Sequence, residues 1–386
     1  MRPLLIRYVS HGYPTGYGEV GRRLIGALRS IGVDIHWVPI QFDERRPLLP
    51  DAFVSGLGEL EPLRATRGRP DVVVVHSVPE VLPHMAELCP PGVPVVAHTV
   101  WEAPELQAHW PALLNGCDAV VVPTRWNADA FEAAGISAPI GVVPHALDPS
   151  TLDNASGDAA WLGPGGLDVG SSFVVHSIAS WTQRKAPWLT VEAYARAFGP
   201  HDDTVLILRT DTHIEPTMAT PPGPRGRRHL TSWSVAKILH DHGPTGRVHL
   251  EHNLRTSAEL AALARRSNCW LSLPHAEGWN LGAFDAAVAG TPVVTTGYGG
   301  PSDYLDAHTS SLIKGTQMPA PGLEGITWLR PDLDAAVDAL RAVHRDPVGQ
   351  RERAGAQSKR LARRFAPKVV AQRFVAVLAE LGCLPS

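Results

Sequence analysis

The sequence predicts an α/β protein with two doubly wound parallel sheets. Short runs of valine, isoleucine and other apolar residues recur in both halves of the chain, and several lead into a polar loop and then into apolar residues at helical spacing. Such runs are typical of strands that are buried on both faces of a parallel sheet. Because 386 residues exceed what one ordinary core needs, we expect two domains.

The first half supplies six candidate strands. They are residues 4–9, 33–38, 72–75, 93–97, 119–122 and 140–143. Between the first two, apolar residues from Val20 to Ile31 predict a helix that ends at Gly32. After the fifth strand, Thr124 predicts the N-cap of a second helix, and Gly135 predicts its end.

The second half repeats this pattern. Its candidate strands are residues 173–178, 204–208, 248–251, 269–273 and 291–296. Helices are predicted after the first and fourth of these strands, and a capping box of Thr256 and Glu259 predicts another. We interpret the basic run at 351–368 as one helix with a solvated face. The alternative is a patch for an acidic membrane surface or an anionic acceptor.

Composition places the domain boundaries. We expect an N-terminal domain at 1–150, a linker rich in Gly, Asp, Ser and Pro at 151–171, a C-terminal domain at 172–366 and a last helical segment at 367–386. The basic, Pro- and Gly-rich residues 212–229 are either an acceptor-facing insertion or an ordinary surface loop.

Charge and cysteine content narrow the function classes. A net charge of −3 lacks the basic footprint of a nucleic-acid-binding protein, and no apolar run approaches the ~20 residues of a spanning helix. The apolar part of the N-terminus is too short for a signal peptide, so we expect a cytoplasmic protein. The four cysteines lack metal spacing, which favours reduced thiols and predicts no metal site.

The stretch from Leu271 to Gly300 carries the clearest functional signal. A strand leads into a loop with Glu277 and then into a helix with Asp285, a residue that propagates a helix poorly. In an open parallel sheet such a loop lies at the carboxyl edge, where ligands bind, and the first amides of the helix favour an anion such as a diphosphate. Those amides belong to Gly278, Trp279, Asn280 and Leu281.

Other candidate residues follow other predicted strands. Arg184 and Lys185 lie where a diphosphate would need cations, although an exposed Arg-Lys pair is often only solvated. Gly16 and Gly18, which follow the first strand, permit close approach of the backbone, so that their amides can face a phosphate or a sugar, or they merely connect two elements. His98 is either a core histidine or a functional one, and Glu102 is either an acceptor contact or a surface acid.

The segment E-G-W-N-L-G-A-F-D, followed by A-G-T-P-V-V and G-G-P-S-D, resembles the E-x7-E region of retaining glycosyltransferases with the GT-B fold, of the group 1 or family 4 type. The passage from Asp118 to Pro149 resembles the end of that family's N-terminal domain. The sequence departs from the family at Asp285 and Asp303, where Glu is usual, and at Ser180, where Arg is usual.

The resemblance implies two Rossmann-like domains that face each other across a cleft, with a last helix that crosses back to the first domain. It implies that Glu277 binds hydroxyls of the donor sugar and that Asp285 binds the ribose. Lys185 and Arg184, with Ser180 nearby, would bind the diphosphate.

On the acceptor side, the resemblance places His98 near the reacting centre and Glu102 beside the acceptor. Gly16 and Tyr17 belong to the family's first loop, which abuts the donor phosphate and the acceptor.

The implied activity is transfer of a sugar, with retention, from a nucleoside diphosphate sugar to a glycan, lipid or small-molecule acceptor. No metal and no cofactor are expected, because side-chain cations and helix amides replace them. We expect a cytoplasmic enzyme, with peripheral contact to the inner membrane face as an option. The rival hypotheses are a non-catalytic partner subunit that binds a nucleotide sugar, and a GT-B epimerase or phosphorylase.

Overall fold

The chain forms two compact units, Met1–Pro149 with Ala362–Ser386, and Ser150–Leu361. The computed structural model describes residues 2–13, 15–40, 58–152, 167–211, 230–253 and 255–384. The predicted insertion at 212–229 and most of the predicted linker therefore lie outside the described residues.

The first unit contains a sheet of parallel strands. They are β1 (Leu5–His11), β2 (Asp34–Ile40), β3 (Val72–His76), β4 (Val95–His98), β5 (Ala119–Val122) and β6 (Ile140–Val142). Their order is β2-β1-β3-β4-β5-β6. Successive residues of β3 enter opposite cores, Val74 with Tyr8 on one face and Val73 and Val75 with Val9 on the other. Burial on both faces explains the continuous apolar runs.

The second unit repeats this architecture. Its strands are β7 (Phe173–Ile178), β8 (Thr204–Arg209), β9 (Arg247–Glu251), β10 (Cys269–Ser272), β11 (Val293–Thr296) and β12 (Ser311–Ile313). They are ordered β12-β11-β10-β7-β8-β9 and are parallel. The prediction of two parallel sheets is confirmed. An antiparallel hairpin of β13 (Gly315–Pro319) and β14 (Thr327–Pro331) was not predicted.

Helices connect most of the parallel strands. The α-helices are α1 (Gly16–Ser30), α2 (Trp110–Leu114), α3 (Arg125–Ala133), α4 (Pro187–Ala197), α5 (Leu230–His242), α6 (Ser257–Arg266), α7 (Leu281–Val288), α8 (Leu333–Arg345), α9 (Pro347–Arg364) and α10 (Pro367–Glu380). Short 3-10 helices span Glu61–Ala65, Pro79–Leu88, Pro149–Thr151 and Gly300–Asp303. Thr124 caps α3, and Thr256 with Glu259 forms the predicted capping box of α6. Among the described helices, none has both the length and the apolar character that crossing a membrane requires.

The basic run at 351–368 is not one helix. Helix α9 ends at Arg364, and Pro367 opens α10. Proline has no amide hydrogen to continue the first helix, and it disfavours helical torsions in the residue before it. Arg351 is also not a solvated side chain, because its guanidinium donates to the carbonyl of Ser267 at 2.6 Å and to that of Arg265.

Candidate active site

The strand order of the second unit reverses between β7 and β10. At such a switch point the loops that leave the two central strands diverge and open a crevice at the carboxyl edge, where open α/β sheets bind ligands. Arg184 and Lys185 follow β7, and Glu277 follows β10. The topology therefore brings together side chains that are 92 or 93 positions apart in the sequence.

Glu277 forms ion pairs with both cations. Its Oε1 accepts from Lys185 Nζ at 3.1 Å, and its Oε2 accepts from Arg184 Nη1 at 3.1 Å. The Glu277 side chain is 9% exposed. Burial alone would raise the pKa of this carboxyl, but the charges of Lys185 and Arg184 outweigh burial and hold the pKa below its ordinary value. The negative charge of the buried Glu277 carboxylate is therefore stabilised by its two cationic partners.

The two cations are held differently. Arg184 also donates to the carbonyl oxygen of Ala276 at 2.8 Å. Its guanidinium is therefore bonded to the backbone of the loop between β10 and α7, residues 273–280, which we call the Glu277 loop. Among the described residues, the ammonium of Lys185 bonds only to Glu277. Lys185 can therefore leave the carboxylate by rotating its own side chain, whereas Arg184 keeps a second contact.

A tight turn presents both cations. The amide of Lys185 donates to the Thr182 hydroxyl at 3.2 Å, and the amide of Ala186 donates to the Thr182 carbonyl at 3.0 Å. Ala186 has φ 41° and ψ 49°, in the left-handed region that a Cβ disfavours, and Pro187 then opens α4. Ser180 precedes the turn, and its carbonyl accepts from the Thr182 amide at 2.9 Å. The backbone that carries the two charges is thus hydrogen-bonded on itself.

Two glycines allow the loop after β11 to lie against the Glu277 loop. Gly299 has φ 75°, and a Cβ there would lie 2.3 Å from the Glu277 carbonyl oxygen. A Cβ on Gly300 would lie 1.8 Å from the carbonyl oxygen of Gly278. The Gly300 amide donates to the Glu277 carbonyl at 2.8 Å. Asp303 ends the short 3-10 helix that follows. Any side chain at these two glycines would push the loops apart.

The side chain of Asn280 caps the N-terminus of α7. Asn280 has φ 64° and ψ 75°, and its Oδ1 accepts from the Ala283 amide at 3.2 Å. The Ala283 amide is therefore occupied, and the predicted anion contacts must come from residues that precede it, from Gly278 to Leu281. Asp285 is half-buried on α7, and its charge, together with that of Glu277, adds to burial in raising the pKa of Tyr304.

In the first unit, Gly16 and Gly18 lie in the first turn of α1 and not in a loop. Thr15 is the N-cap, and its hydroxyl accepts from the Gly18 amide at 3.2 Å. A Cβ on Gly18 would lie 1.7 Å from the Tyr13 carbonyl oxygen, so only glycine fits there. The expectation that the Gly18 amide faces a ligand is therefore wrong, because Thr15 takes that amide. Gly16 is exposed at the start of the helix.

Tyr17 and Glu102 lie close together in this unit. The Tyr17 ring stacks on His11 with centroids 5.1 Å apart, and its hydroxyl is 3.2 Å from the Thr99 hydroxyl and donates to the Val100 carbonyl at 3.3 Å. Burial raises the pKa of Tyr17, and the charge of Glu102 raises it further. Both acceptor candidates thus lie at the carboxyl edge of the first sheet, Tyr17 after β1 and Glu102 after β4.

His98 lies in a buried cluster. Its ring stacks on His76 at a centroid distance of 3.9 Å, and its Nδ1 is 3.4 Å from the Tyr8 hydroxyl, which is 2.8 Å from His76 Nδ1. The His98 Nε2 bonds to no described residue. Burial lowers the pKa of His98 to about 3, so the ring is neutral. The ring of His145 lies 6.5 Å from that of His98 between centroids. His98 is thus a buried, neutral ring in this structure, and both the core and the functional alternatives stay open.

Several residues of these sites were not predicted. The Tyr304 hydroxyl donates to the Trp279 carbonyl, and the His275 amide donates to the Arg184 carbonyl at 2.8 Å. The ring of His76 stacks on that of His98. His76 ends β3 just as His98 ends β4, so its position at a strand end was an available signal. Tyr304 and His275 act through backbone contacts that side-chain chemistry does not reveal. The described residues contain no group of three or more His, Cys, Asp or Glu that could hold a metal ion.

Solved structures share this architecture. Anabaena HepE in complex with UDP-glucose is 16% identical over 98% of this chain and 100% of that one, with a TM-score of 0.69. Sucrose-phosphate synthase from Thermosynechococcus elongatus is 14% identical over 98% and 99%, with a TM-score of 0.67. A glycosyltransferase from Rickettsia africae is 13% identical over 99% of both chains, with a TM-score of 0.65. At these identities the likeness establishes the GT-B fold.

Family models match both halves of the chain. The model for Glycosyltransferase Family 4 matches residues 9–151, and the model for Family 4 Glycosyltransferase in conflict systems matches residues 234–374. A search of curated protein sequences gave no match. Two separate family 4 models therefore match the larger part of the first unit and the later part of the second, and the chain belongs to the family 4 glycosyltransferases.

Proposed function

We propose that this glycosyltransferase moves a sugar from a nucleoside diphosphate sugar to an acceptor hydroxyl, with retention at the anomeric carbon and without a metal ion. The observation that carries the proposal is the triad of Lys185, Arg184 and Glu277 at the switch point of the second unit. The complex of the similar protein HepE with UDP-glucose supports a nucleotide sugar as the donor.

The triad suits the chemistry of this transfer. When the bond between sugar and diphosphate breaks, negative charge develops on the diphosphate, and fixed cations stabilise that charge. Arg184 supplies a planar fork for two oxygens and Lys185 a mobile point charge. The hydroxyl of Ser180 and the amides from Gly278 to Leu281 add neutral donors. These groups take the role that a metal ion plays in other transferases.

The carboxylates bind the neutral parts of the donor in this proposal. Glu277, once separated from its cations, accepts hydrogen bonds from hydroxyls of the sugar, and Asp285 accepts from the ribose. In the first unit, His98, Glu102, Tyr17 and Gly16 are the proposed contacts for the acceptor and for the reacting end of the donor. The acceptor itself is a hydroxyl of a glycan, a lipid or a small molecule.

A ligand panel and a turnover assay test this function. Thermal shift with UDP, GDP, ADP and dTDP sugars identifies the donor, after which release of the nucleoside diphosphate is measured with a mixture of acceptors. We expect Glu277→Ala to lose at least about a hundredfold in rate, because sugar orientation is lost. Asp306→Asn, which removes a surface ion pair with Arg360, should keep full activity. Equal rates for wild type and Glu277→Ala would refute a catalytic role for the triad.

Two further measurements test the finer parts of the proposal. The anomeric proton coupling of the product, followed by NMR from the start of the reaction, should show the configuration of the donor. Addition of EDTA should leave the rate unchanged. Inversion of the anomeric centre, or loss of activity that a divalent cation restores, would contradict the retaining or the metal-independent mechanism respectively.

A further inference from the structure

Glu277 neutralises the same two cations that a diphosphate would require. Both carboxylate oxygens are used, one for Lys185 and one for Arg184, each at 3.1 Å. A diphosphate that binds these cations therefore competes with the carboxylate for them. Glu277 is only 9% exposed, so the displaced carboxylate cannot simply turn to bulk water.

Displacement of Glu277 has a cost that depends on the ligand. A buried carboxylate that loses its cations needs other hydrogen-bond donors, and the new diphosphate beside it adds like-charge repulsion. The sugar of a nucleotide sugar carries several hydroxyls that can donate to the carboxylate. A free nucleoside diphosphate carries more negative charge near pH 7, because its terminal phosphate can lose a second proton, but it brings no sugar hydroxyls to that position. The cost is therefore compensated for the intact donor and not for the free nucleotide.

We propose that Glu277 makes this site select the intact nucleotide sugar over the free nucleoside diphosphate, by competing with the diphosphate for Lys185 and Arg184. This inference rests on the proposed function. Lys185 is the partner that exchanges, since Arg184 keeps its bond to the Ala276 carbonyl. After transfer of the sugar, Glu277 recaptures Lys185 and weakens the hold on the nucleotide product. The carboxylate thus limits product inhibition in addition to binding the sugar.

The test compares two ligands on one charge-removing variant. Glutamine at position 277 keeps an amide that can bond sugar hydroxyls but has no charge to pair with Lys185. Isothermal titration with UDP and UDP-glucose, and with GDP and GDP-mannose, gives the ratio of the two dissociation constants. In Glu277→Gln we expect the free nucleotide to bind at least about tenfold more tightly, because the competing ion pairs are gone. The intact donor should bind equally or more weakly. Asp306→Asn should leave the ratio unchanged.

A second variant separates competition from a general loss of structure. Lys185→Met should weaken the binding of both ligands. Adding Glu277→Gln to Lys185→Met should increase nucleotide affinity much less than Glu277→Gln does in the wild type. Thermal unfolding confirms that each variant is folded. If Glu277→Gln weakens both ligands in parallel, or leaves nucleotide affinity unchanged, the competition is refuted while the proposed function stands. If the wild type binds neither nucleotide nor nucleotide sugar, the proposed function itself fails.

Discussion

The hydroxyl of Tyr304 donates to the carbonyl oxygen of Trp279 at 2.7 Å and lies 3.0 Å from that of Asn280. Tyr304 is 2% exposed, and its ring contacts Trp279 and Phe284. It thereby ties the segment that directly follows Glu277 to the loop after β11. Because the Tyr304 hydroxyl contacts backbone carbonyls of this segment, its effect on the site passes through the backbone.

Tyr304→Phe should reduce both stability and donor binding. The ring keeps its packing, but the buried Trp279 carbonyl loses its hydrogen-bond donor, which costs about 1 to 3 kcal/mol of the free energy of unfolding. The Asn280 carbonyl keeps the amide of Phe284. Because the Trp279 carbonyl belongs to the Glu277 loop, we also expect a several-fold weaker affinity for the nucleotide sugar. Urea denaturation measures the first effect and titration with the nucleotide sugar measures the second.

Tyr194→Phe is the matched control. Its hydroxyl also has two contacts, at 2.8 Å to the Thr204 hydroxyl and 3.0 Å to the Arg247 carbonyl, but these residues begin β8 and β9 at the opposite edge of the sheet. A similar loss of stability with unchanged donor affinity is expected. If both tyrosine variants weaken donor binding equally, Tyr304 has no specific role in positioning the loop.

Gly300→Ala should push the loop after β11 away from the Glu277 loop. The new Cβ would meet the Gly278 carbonyl at 1.8 Å and the Trp279 amide at 2.8 Å, both backbone atoms that can move only with the Glu277 loop. We expect at least about 2 kcal/mol of destabilisation and a loss of turnover. Gly355→Ala, in α9 with nothing within 4 Å of its Cβ, should instead stabilise by about 0.5 to 1 kcal/mol. Normal activity of Gly300→Ala would show that the two loops can separate without consequence.

The sheets could be predicted because burial on both faces leaves continuous β-branched runs. Val72–His76 and Ala119–Val122 are such runs, and both formed strands. The hairpin of Gly315–Pro319 and Thr327–Pro331 could not, because β13 is mostly exposed and has no apolar alternation. Helices α5 and α8 were also not predicted.

The members of the candidate site were proposed from the sequence, but the contacts among them were not predicted. Lys185 and Glu277 were assigned to one ligand through the family motif, yet spacing gives no sign that they bond each other, because that bond depends on the strand order β10-β7. Spacing also misled at Gly18, whose value lies in the close Tyr13 carbonyl and not in an open amide. Local patterns specify elements, whereas contacts between loops follow from topology.

A graded series at Asn280 tests how the N-terminus of α7 is held. Alanine loses the cap and keeps a Cβ at φ 64°, so we expect a cost of about 2 kcal/mol, whereas glycine tolerates that torsion and should cost less than half of this. Stability should therefore fall in the order wild type, Asn280→Gly, Asn280→Ala. Thr256→Ala, which removes the cap of α6, should cost about 1 kcal/mol without changing nucleotide affinity. Equal stability of the glycine and alanine variants would contradict the torsional argument.

The first unit should lose stability in mild acid because of its buried histidines. Burial lowers the pKa of His98 to about 3 and those of His76 and His145 well below the ordinary value of 6.5. As pH falls below about 6.5, these side chains gain protons in the unfolded chain but stay neutral in the folded one. Stability therefore falls with pH from about 6.5 towards about 3, by up to about 1.4 kcal/mol per pH unit for each histidine.

Carboxylates do not explain an effect at the upper end of this window, because the ordinary pKa of a glutamate is 4.5 and the pKa values of Glu19 and Glu277 are lower still. Urea denaturation at pH 7.5 and at pH 5.5 should thus show a loss of several kcal/mol in the free energy of unfolding. His98→Asn removes one titrating group and should reduce that loss by about 1.4 kcal/mol, whatever its effect on stability at pH 7.5. A variant with the same pH dependence as wild type would mean that His98 becomes protonated in the folded protein as readily as in the unfolded chain.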